Sequence, residues 1–331
     1  MNQVTSIIRE ATRTKDEKLN IITGPTHESY QMNMSDVHAD FFMLQHPTFK
    51  KWNHAFRGMP KNHRLLDEKL EMKQLPLHLG YDAVLSQNKF GQYQVLSQLA
   101  QHLGVPLISL EHTLPMKEWP KERMVQLNNM RGDINLFISE YSRDMWGFAN
   151  VPNTHVIHHG VDTSTFCPSN KEKLPRILSV VNDWINRNYF CGFDIWQRVT
   201  KDLPVFPVGD TAGLSKASKN IEELVDFYQT SQIFINTSTV SPIPSALLEA
   251  MACGSACVST ATCMIPEIIV NGYNGFITND EKEMRDYLNL LLSDEKLRTY
   301  IGQNARQTIL EKFSLAQFVN NWNQFLRMVL K

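Results

Sequence analysis

The residues whose types and spacing are best suited to bind a ligand lie between Asn236 and Asn279. A predicted strand ends near Asn236, a polar loop with prolines follows it, and a helix starts near Pro244. Proline suits the first turn of a helix because its missing N–H would have no partner there. A helix that starts at the mouth of a sheet offers free amides and a positive dipole end. The segment therefore predicts a diphosphate site.

Glu249 is the charged residue of this predicted helix. Ser245 lies four positions before it, so the two side chains share one face. A carboxylate about one turn inside the helix can accept hydrogen bonds from two vicinal hydroxyls, as on a ribose. The alternative is a solvated surface carboxylate. Because the helix is otherwise apolar and small, SALLEAMACG, a charge in it requires a partner.

Composition excludes several classes of protein. A chain of 331 residues with 42% hydrophobic content predicts about two domains. Lys and Arg number 33 against 34 Asp and Glu, which excludes a globally basic nucleic-acid binder but leaves a local basic patch open. Five cysteines without a CxxC pair indicate free thiols in a reducing cytoplasm. The N-terminus lacks the apolar core of a signal peptide, and no apolar run reaches the roughly 20 residues of a transmembrane helix.

Short apolar runs alternate with amphipathic stretches such as Gln92–Leu103, which predicts an α/β fold of parallel sheets covered by helices. The predicted strands are Leu19–Thr23, Asp82–Ser86, Pro106–Leu110, Asn135–Ser139, His155–His158, Ile177–Val181, Val205–Val208, Ile233–Asn236, Ala256–Ser259 and Phe276–Thr278. A polar segment with two prolines, Phe166–Pro175, predicts a boundary between an N-terminal domain of residues 1–168 and a C-terminal domain of residues 169–312. Residues 313–331 are predicted to form a helix, capped by Ser314, that packs back on the first domain or on its own.

The segment that starts at Pro244, PSALLEAMACGSACVSTATCMIPEIIVNGYNGFI, resembles the donor-binding signature of the retaining, GT-B-fold glycosyltransferases of family four. HVIHHGVDTSTFCP resembles the end of that family's first domain, and INLFISEYSRD fits as well. The resemblance covers most of the chain from Val105 to Phe313. It implies two facing Rossmann-like domains with catalysis in the cleft between them, and transfer with retention from a nucleotide-sugar co-substrate such as a UDP-sugar. No cofactor is expected. Because no Asp-x-Asp triplet occurs, no metal is expected either.

The chain departs from that family at two places. The family has two glutamates eight positions apart; Glu249 matches the second, but Ser241 stands at the first. The Gly-Phe-Gly that follows it in the family reads Pro242, Ile243, Pro244 here. The lost glutamate usually contacts the donor sugar, so a smaller sugar such as the pentose arabinose, or an inactive site, is expected. In the first loop of the second domain Cys191 stands where the family has a Lys.

These considerations assign the site residues. The candidates nearest the chemistry are His112, which the resemblance places near the transferred sugar, and Arg187, which we expect to bind phosphate. The candidate donor ligands are Glu249, Ser241, Ser245, Ile243, Pro244, Ser238, Gly209 and Asp210. The candidate acceptor ligands are His27, Glu28, Asn88, Lys89, Lys50, Lys51 and Trp52.

The stretch from Phe41 to Leu66 has no acidic residue and mixes basic with aromatic side chains, including Lys50, Lys51, Trp52, Phe56 and Arg57. Such a stretch favours a nucleic-acid backbone. With THESYQ and SQNKFGQ it resembles bacteriophage glycosyltransferases that modify hydroxymethylated cytosine in DNA, some of which transfer arabinose. Duplex DNA is therefore the leading predicted acceptor, and the host cytoplasm the expected location. The alternatives are a solvated loop, a transferase for a lipid-linked or surface glycan, a non-catalytic binding module, and an epimerase of the same fold.

Overall fold

The computed structural model describes residues 14, 17–54, 58–67, 75, 76 and 79–330. Contacts between Cα atoms divide the chain into two units. The first unit comprises Met1–His158 together with Phe318–Lys331, and the second comprises His159–Gln317. Each unit is built on one parallel sheet. Among the described residues no helix has the length and apolarity needed to cross a membrane.

The sheet of the first unit has seven strands. They are β1 (Leu19–Thr23), β2 (Ala39–Met43), β3 (His63–Leu65), β4 (Ala83–Ser86), β5 (Leu107–Glu111), β6 (Ile134–Phe137) and β7 (Thr154–Val156). Their order is β3-β2-β1-β4-β5-β6-β7, and all neighbours are parallel. The order reverses between β1 and β4, and the carboxyl ends of strands at such a point commonly bind ligands.

The helices that accompany this sheet are α1 (Glu28–Asn33), α2 (Tyr93–Leu103), α3 (Lys121–Asn128) and α4 (Glu140–Met145). Helix α2 shows why the sequence folds this way. Its Leu96, Leu99 and Ala100 are buried, and it ends at Gly104, whose φ of 67° favours glycine. Strands β2 and β3 were missed by the sequence prediction, because their apolar residues lie inside the stretch interpreted as a basic loop.

The sheet of the second unit has five strands. They are β8 (Leu174–Val180), β9 (Val205–Val208), β10 (Ser231–Asn236), β11 (Ala256–Ser259) and β12 (Phe276–Ile277), in the order β12-β11-β10-β8-β9. The accompanying helices are α5 (Asn188–Cys191), α6 (Phe193–Val199), α7 (Ile221–Thr230), α8 (Ser245–Ala252), α9 (Ile265–Ile268), α10 (Glu281–Ser293), α11 (Glu295–Thr308) and α12 (Leu315–Val329). Parallel strands joined through helices form the Rossmann-like pattern that the sequence predicts.

The division differs from the predicted boundary after residue 168, and backbone pairing explains the difference. The N–H of Val161 donates to the carbonyl of Phe313 at 2.7 Å, and the N–H of Leu315 donates to the carbonyl of Val161 at 2.8 Å. The guanidinium of Arg306 also donates to the carbonyls of Thr163 and Phe166, at 3.0 and 2.8 Å. Residues after His158 are therefore bonded into the second unit.

Helix α12 leaves the second unit after its first turn. Ser314 caps it, since the N–H of Gln317 donates to the Ser314 hydroxyl at 3.3 Å. From Phe318 onward the helix is grouped with the first unit, where Trp322 Nε1 donates to the Tyr30 hydroxyl at 3.2 Å. The apolar stripe of this helix thus packs on residues near the start of the chain.

Candidate functional site

In the second unit, the loop after β9 closes on the end of β8. Gly209 has a φ of 129°, and a Cβ added there would overlap the carbonyl oxygen of Val181. The N–H of Asp210 donates to Asn182 Oδ1 at 3.0 Å, and the N–H of Asp183 donates to the carbonyl of Asp210 at 2.8 Å. These contacts fix Gly209 and Asp210, two of the predicted donor ligands, at the carboxyl end of the sheet.

The loop after β8 also closes on the loop after β10. Gly192 has a φ of 67°, and a Cβ there would overlap the carbonyl oxygen of Thr237. The hydroxyl of Thr237 donates to the carbonyl of Cys191 at 2.9 Å, and the N–H of Thr239 donates to the carbonyl of Phe190 at 2.9 Å. Three loops at one end of the sheet are therefore held together by backbone bonds and by the side chains of Asn182 and Thr237.

Helix α8 begins where the loop after β10 ends. It starts at Ser245, and Pro244 is the N-cap residue, one position before the helix itself. The carbonyl of Pro244 accepts from the N–H of Leu247 at 3.0 Å, so the earlier amides of the first turn have no intrahelical carbonyl to bond. Ser245 is exposed, Ser241 is half-buried, and Ile243 is buried. The helix start thus offers the amides and dipole that an anion binds.

Ser238 supports this loop from inside. It is buried, and its hydroxyl donates to Asn236 Oδ1 at 2.8 Å. Its carbonyl accepts from the hydroxyls of Thr260 and Thr262, each at 2.6 Å. These groups of Ser238 therefore bind the protein, and the residue shapes the loop that was predicted to contact the donor.

Glu249 lies on α8 and is half-buried, which differs from a fully solvated helix residue. The hydroxyl of Tyr228, a fully buried residue of α7, donates to Glu249 Oε2 at 2.9 Å. Burial raises the pKa of Tyr228 well above its usual value, and the Glu249 charge raises it further. Tyr228 therefore remains a hydrogen-bond donor and holds the carboxylate in place. Sequence reasoning missed Tyr228, because only the fold brings these two residues together.

Arg187 is the only cation between residues 181 and 192. Its side chain is exposed, and one guanidinium nitrogen donates to the carbonyl of Asn182 at 3.2 Å. Cys191, which stands at the family's Lys position, is buried, and its thiol donates to the carbonyl of Arg187 at 2.9 Å. Burial raises the pKa of that thiol, so the position carries no charge. Arg187 therefore remains the cation of this loop that is exposed to a ligand.

In the first unit, His112 directly follows β5 and is buried. Its ring lies edge-on to the ring of Tyr30, with centroids 4.5 Å apart, and 5.3 Å from the ring of His27. His27 itself is exposed, at the start of the segment after β1. The structure thus brings together two histidines that the sequence placed independently at the strand ends of this sheet.

Glu28 and Lys50 form an ion pair. Lys50 Nζ lies 2.6 Å from Glu28 Oε2, and the carboxylate is buried whereas the ammonium group is exposed. Burial acts to raise the pKa of Glu28, but the hydrogen bond from Lys50 and backbone bonds outweigh it and lower the value. Trp52 is also buried, so its ring offers no exposed face for base stacking. That part of the predicted acceptor surface is corrected.

Lys89 was predicted to face an acceptor, but it is buried with only 4% exposure. Its Nζ donates to the carbonyl of Met130 at 2.6 Å and lies over the rings of Trp146 and Phe148, 5.5 and 5.4 Å from their centroids. Lys89 therefore binds the interior of the first unit. Its neighbour Asn88 is half-buried, and the carbonyl of Asn88 accepts from the Ser86 hydroxyl at 3.1 Å.

The basic stretch also differs from its prediction. Lys50 pairs with Glu28 and Lys61 with Asp36, so acidic partners come from outside the stretch. His63 is buried in β3, where burial lowers its pKa to about 3 and keeps it neutral. Lys51 is exposed, whereas Phe56 and Arg57 lie outside the described residues. The positive charge available to a nucleic acid is smaller than the sequence indicated.

Comparison with known proteins finds a family match within the second unit. Residues 216–308 match the family model described as Glycosyl transferases group 1. A segment of 114 residues is 32% identical to N-acetyl-alpha-D-glucosaminyl L-malate synthase from Bacillus anthracis, and covers 34% of this chain and 29% of that protein. Alpha-maltose-1-phosphate synthase from Mycobacterium tuberculosis is 21% identical over 70% of this chain and 76% of its own length. The chain spans only 24–29% of the three curated relatives that it matches at 30% identity or more.

Solved structures extend the likeness to the whole chain. HepE from Anabaena, solved in complex with UDP, superposes with a TM-score of 0.74 at 14% identity, covering 94% of this chain and 100% of that one. Sucrose-phosphate synthase from Thermosynechococcus elongatus gives a TM-score of 0.72, also at 14% identity, with 94% and 99% coverage. The chain has the GT-B fold. At this level of identity the likeness establishes the architecture, and function has to be argued from the site.

Proposed function

We propose that the protein is a nucleotide-sugar-dependent glycosyltransferase whose second unit binds a UDP-sugar. The observation that carries the proposal is Glu249, a half-buried carboxylate oriented by Tyr228 on a helix that starts at the carboxyl end of β10. A carboxylate held in this way is suited to accept hydrogen bonds from the two hydroxyls of a ribose. HepE, the structural neighbour solved with UDP, shares this fold.

The proposed chemistry needs stabilisation of a departing diphosphate. The first amides of α8 and the exposed guanidinium of Arg187 are the groups that we assign to it. Retention of configuration and independence from metal are parts of the proposal that rest on the sequence resemblance and the missing Asp-x-Asp triplet. His112 is proposed to contact the transferred sugar or the attacking hydroxyl.

The donor sugar is proposed to be small, with arabinose as the first candidate. The reason is Ser241, which stands where related enzymes carry a glutamate that contacts the sugar. A serine hydroxyl is shorter and neutral, so a donor that relied on a carboxylate for orientation would bind less well. Comparing UDP-arabinose with UDP-glucose for the native protein and Ser241→Glu tests this point, and the variant is expected to shift preference toward the hexose.

The donor assignment is tested by thermal unfolding with a panel of nucleoside diphosphates and nucleotide-sugars. A bound ligand raises the melting temperature by mass action. We expect UDP to stabilise the native protein and Glu249→Gln to weaken UDP binding at least tenfold. Glu222→Gln, at an exposed position in the first turn of α7, is the matched control and should bind normally. Equal UDP affinity in all three proteins would rule out the assignment of Glu249.

For the acceptor, we propose hydroxymethylcytosine in duplex DNA as the first candidate. Its support is the sequence resemblance together with exposed Lys50, Lys51 and His54 on one loop of the first unit. Incubation with a donor panel and a modified duplex, followed by nucleoside digestion and mass measurement, tests it. A mass gain equal to one pentose or hexose residue is expected. A duplex with unmodified cytosine is the control, and no gain with any donor would exclude DNA as acceptor.

A further inference from the structure

The first unit contains a buried carboxyl group that the proposed chemistry does not use. Glu111 is the last residue of β5 and is 1% exposed. Its Oε1 accepts from the N–H of Thr113 at 2.9 Å and from the Thr113 hydroxyl at 2.7 Å. A single carboxylate oxygen thus binds two groups of the residue that lies beyond His112. The Glu111 side chain therefore links the residues on either side of His112 in the turn after β5.

Lys89 interacts electrostatically with this buried carboxyl group. Lys89 is itself buried, and the attraction of Glu111 acts to raise its pKa, although burial dominates and lowers it to about 8. Burial raises the pKa of Glu111, while Thr113, Lys89 and the backbone of His112 oppose that shift. Burial thus favours the uncharged form of both groups, whereas the attraction between their charges favours the charged form, so each side chain influences the other near the end of β5.

The turn is also fixed from its far side. The carbonyl of Thr113 accepts from Trp146 Nε1 at 2.9 Å and from the Ser142 hydroxyl at 3.4 Å. Thr113 is thus held by Glu111 through its N–H and hydroxyl, and by α4 and the residue after it through its carbonyl. Because three of its groups are hydrogen-bonded, Thr113 has little conformational freedom. The backbone of its neighbour His112 is therefore restricted as well.

The His112 ring has a second support. Tyr30 lies edge-on against it at 4.5 Å, and the Tyr30 ring in turn packs edge-on against Phe318 at 5.3 Å. The Tyr30 hydroxyl accepts from Trp322 Nε1 at 3.2 Å. Phe318 and Trp322 belong to α12, so this helix packs against Tyr30 and holds its ring beside His112.

We propose that Glu111 is a positioning residue that, with Thr113, sets the orientation of His112 between the turn after β5 and Tyr30. The part of this proposal that concerns sugar transfer rests on the proposed function of His112, whereas the positioning itself does not. Replacing the carboxyl group with an amide changes the bonds that close the turn. The His112 ring would then sample orientations that do not serve transfer.

Nuclear magnetic resonance of protein labelled at the histidine ring carbons measures the positioning directly. The chain has 11 histidines, and the signal of His112 is assigned by its loss in His112→Gln. We expect Glu111→Gln to move or broaden the His112 signal and to leave the signal of half-buried His158 in place. Glu122→Gln, at an exposed position on α3, is the control and should change neither. An unmoved His112 signal in folded Glu111→Gln would overturn the proposal.

A double-mutant cycle tests whether Glu111 acts through His112. Glu111→Gln is expected to lower kcat about tenfold in the native background and less than twofold in the His112→Ala background, because a positioning residue has no effect once its target is gone. UDP affinity should be unchanged in both. Equal losses in the two backgrounds would show a general structural role and contradict the proposal.

Two precautions keep the outcomes separate. If Glu111→Gln fails to fold, Thr113→Val removes one hydrogen bond to Glu111 Oε1 and leaves Glu111 and Lys89 in place, and the same His112 signal is then measured. If the native protein transfers no sugar, the proposed function fails. The spectra still decide the positioning, because they require no turnover.

Discussion

The two sheets end in sites of different construction. In the second unit, glycines at 192 and 209 let loops approach so closely that a side chain would overlap a neighbouring carbonyl, and backbone bonds hold the loops together. In the first unit, the carboxyl ends of the strands are held by buried ionisable side chains, chiefly Glu28, Lys89 and Glu111. The proposed donor site is thus fixed chiefly by close backbone approach, whereas the neighbourhood of His112 is fixed by buried ionisable side chains and hydrogen bonds.

This difference predicts how each site fails. A site fixed by backbone contacts tolerates changes in pH and charge but not added volume, because main-chain atoms cannot move aside without disturbing the sheet. A site fixed by buried charges tolerates small changes of volume but depends on protonation and on the partner of each charge.

Gly209→Ala should have the largest effect. The added Cβ would overlap the Val181 carbonyl, and a φ of 129° is unfavourable for alanine. We expect a loss of more than about 4 kcal/mol in the free energy of unfolding of the second unit, with loss of UDP binding. Gly213→Ala is a matched control, since Gly213 has a φ of 77° but nothing lies within 4 Å of an added Cβ. It should cost about 1 kcal/mol, and equal costs at the two glycines would refute the backbone-contact account.

The first unit should be the one that acid destabilises. His63 is buried against Phe41, and burial lowers its pKa to about 3 from an ordinary value near 6.5. The unfolded chain therefore takes up the proton first, so this contribution is fully present above pH 6.5 and is lost as pH falls toward 3. At pH 4 the loss from this one group is about 3 kcal/mol.

Hydrogen exchange of β2 and β3 between pH 7 and pH 4 measures this loss. His63→Phe keeps the stacking on Phe41 but cannot take up a proton. In this variant the protection of β2 and β3 amides against exchange should therefore fall less steeply as the pH is lowered than in the native protein. His54→Asn, at an exposed position, is the control and should follow the native curve. Parallel pH curves for the native protein and His63→Phe would show that His63 does not govern acid stability.

The same difference explains what the sequence could predict. The segment with the short helix that carries Glu249 was proposed as a donor site from residues at fixed spacing, and this assignment stays a prediction. Most strands were predicted from apolar runs. Strands β2 and β3 were missed because most of their residues lie in the stretch from Phe41 to Leu66, which was interpreted from its basic side chains. The partners Tyr228 and Asp36 were missed because pairs distant in sequence leave no local pattern.

Tyr228→Phe tests the hydrogen bond that holds Glu249 in the proposed donor site. Removing the hydroxyl takes away the hydrogen bond to Glu249 Oε2 but keeps the buried ring. A hydrogen bond to a charged group contributes about 1.4 kcal/mol, so UDP should bind about tenfold more weakly. Tyr300→Phe, at an exposed position on α11, is the control. Unchanged UDP affinity in Tyr228→Phe would mean that the backbone alone orients Glu249.

The smallest expected effects come from two lysines of the basic stretch. Lys50→Ala leaves the buried Glu28 carboxylate without its ammonium partner, which should cost about 1 kcal/mol. Lys61→Ala breaks a pair in which both side chains are more than half exposed, 72% and 55%, so its cost should lie within about 0.5 kcal/mol of zero. Chemical denaturation of both variants measures this difference.

The same two variants separate a structural from a nucleic-acid role. If the stretch binds a DNA backbone, each substitution should reduce the salt dependence of DNA binding by about one counterion, whatever its effect on stability. If Lys50 serves chiefly to neutralise Glu28, the stability loss appears in Lys50→Ala alone and DNA binding keeps its native salt slope. The second result would mean that Lys50 stabilises the first unit and does not bind DNA. The acceptor would then be expected to bind beside His112 and His27.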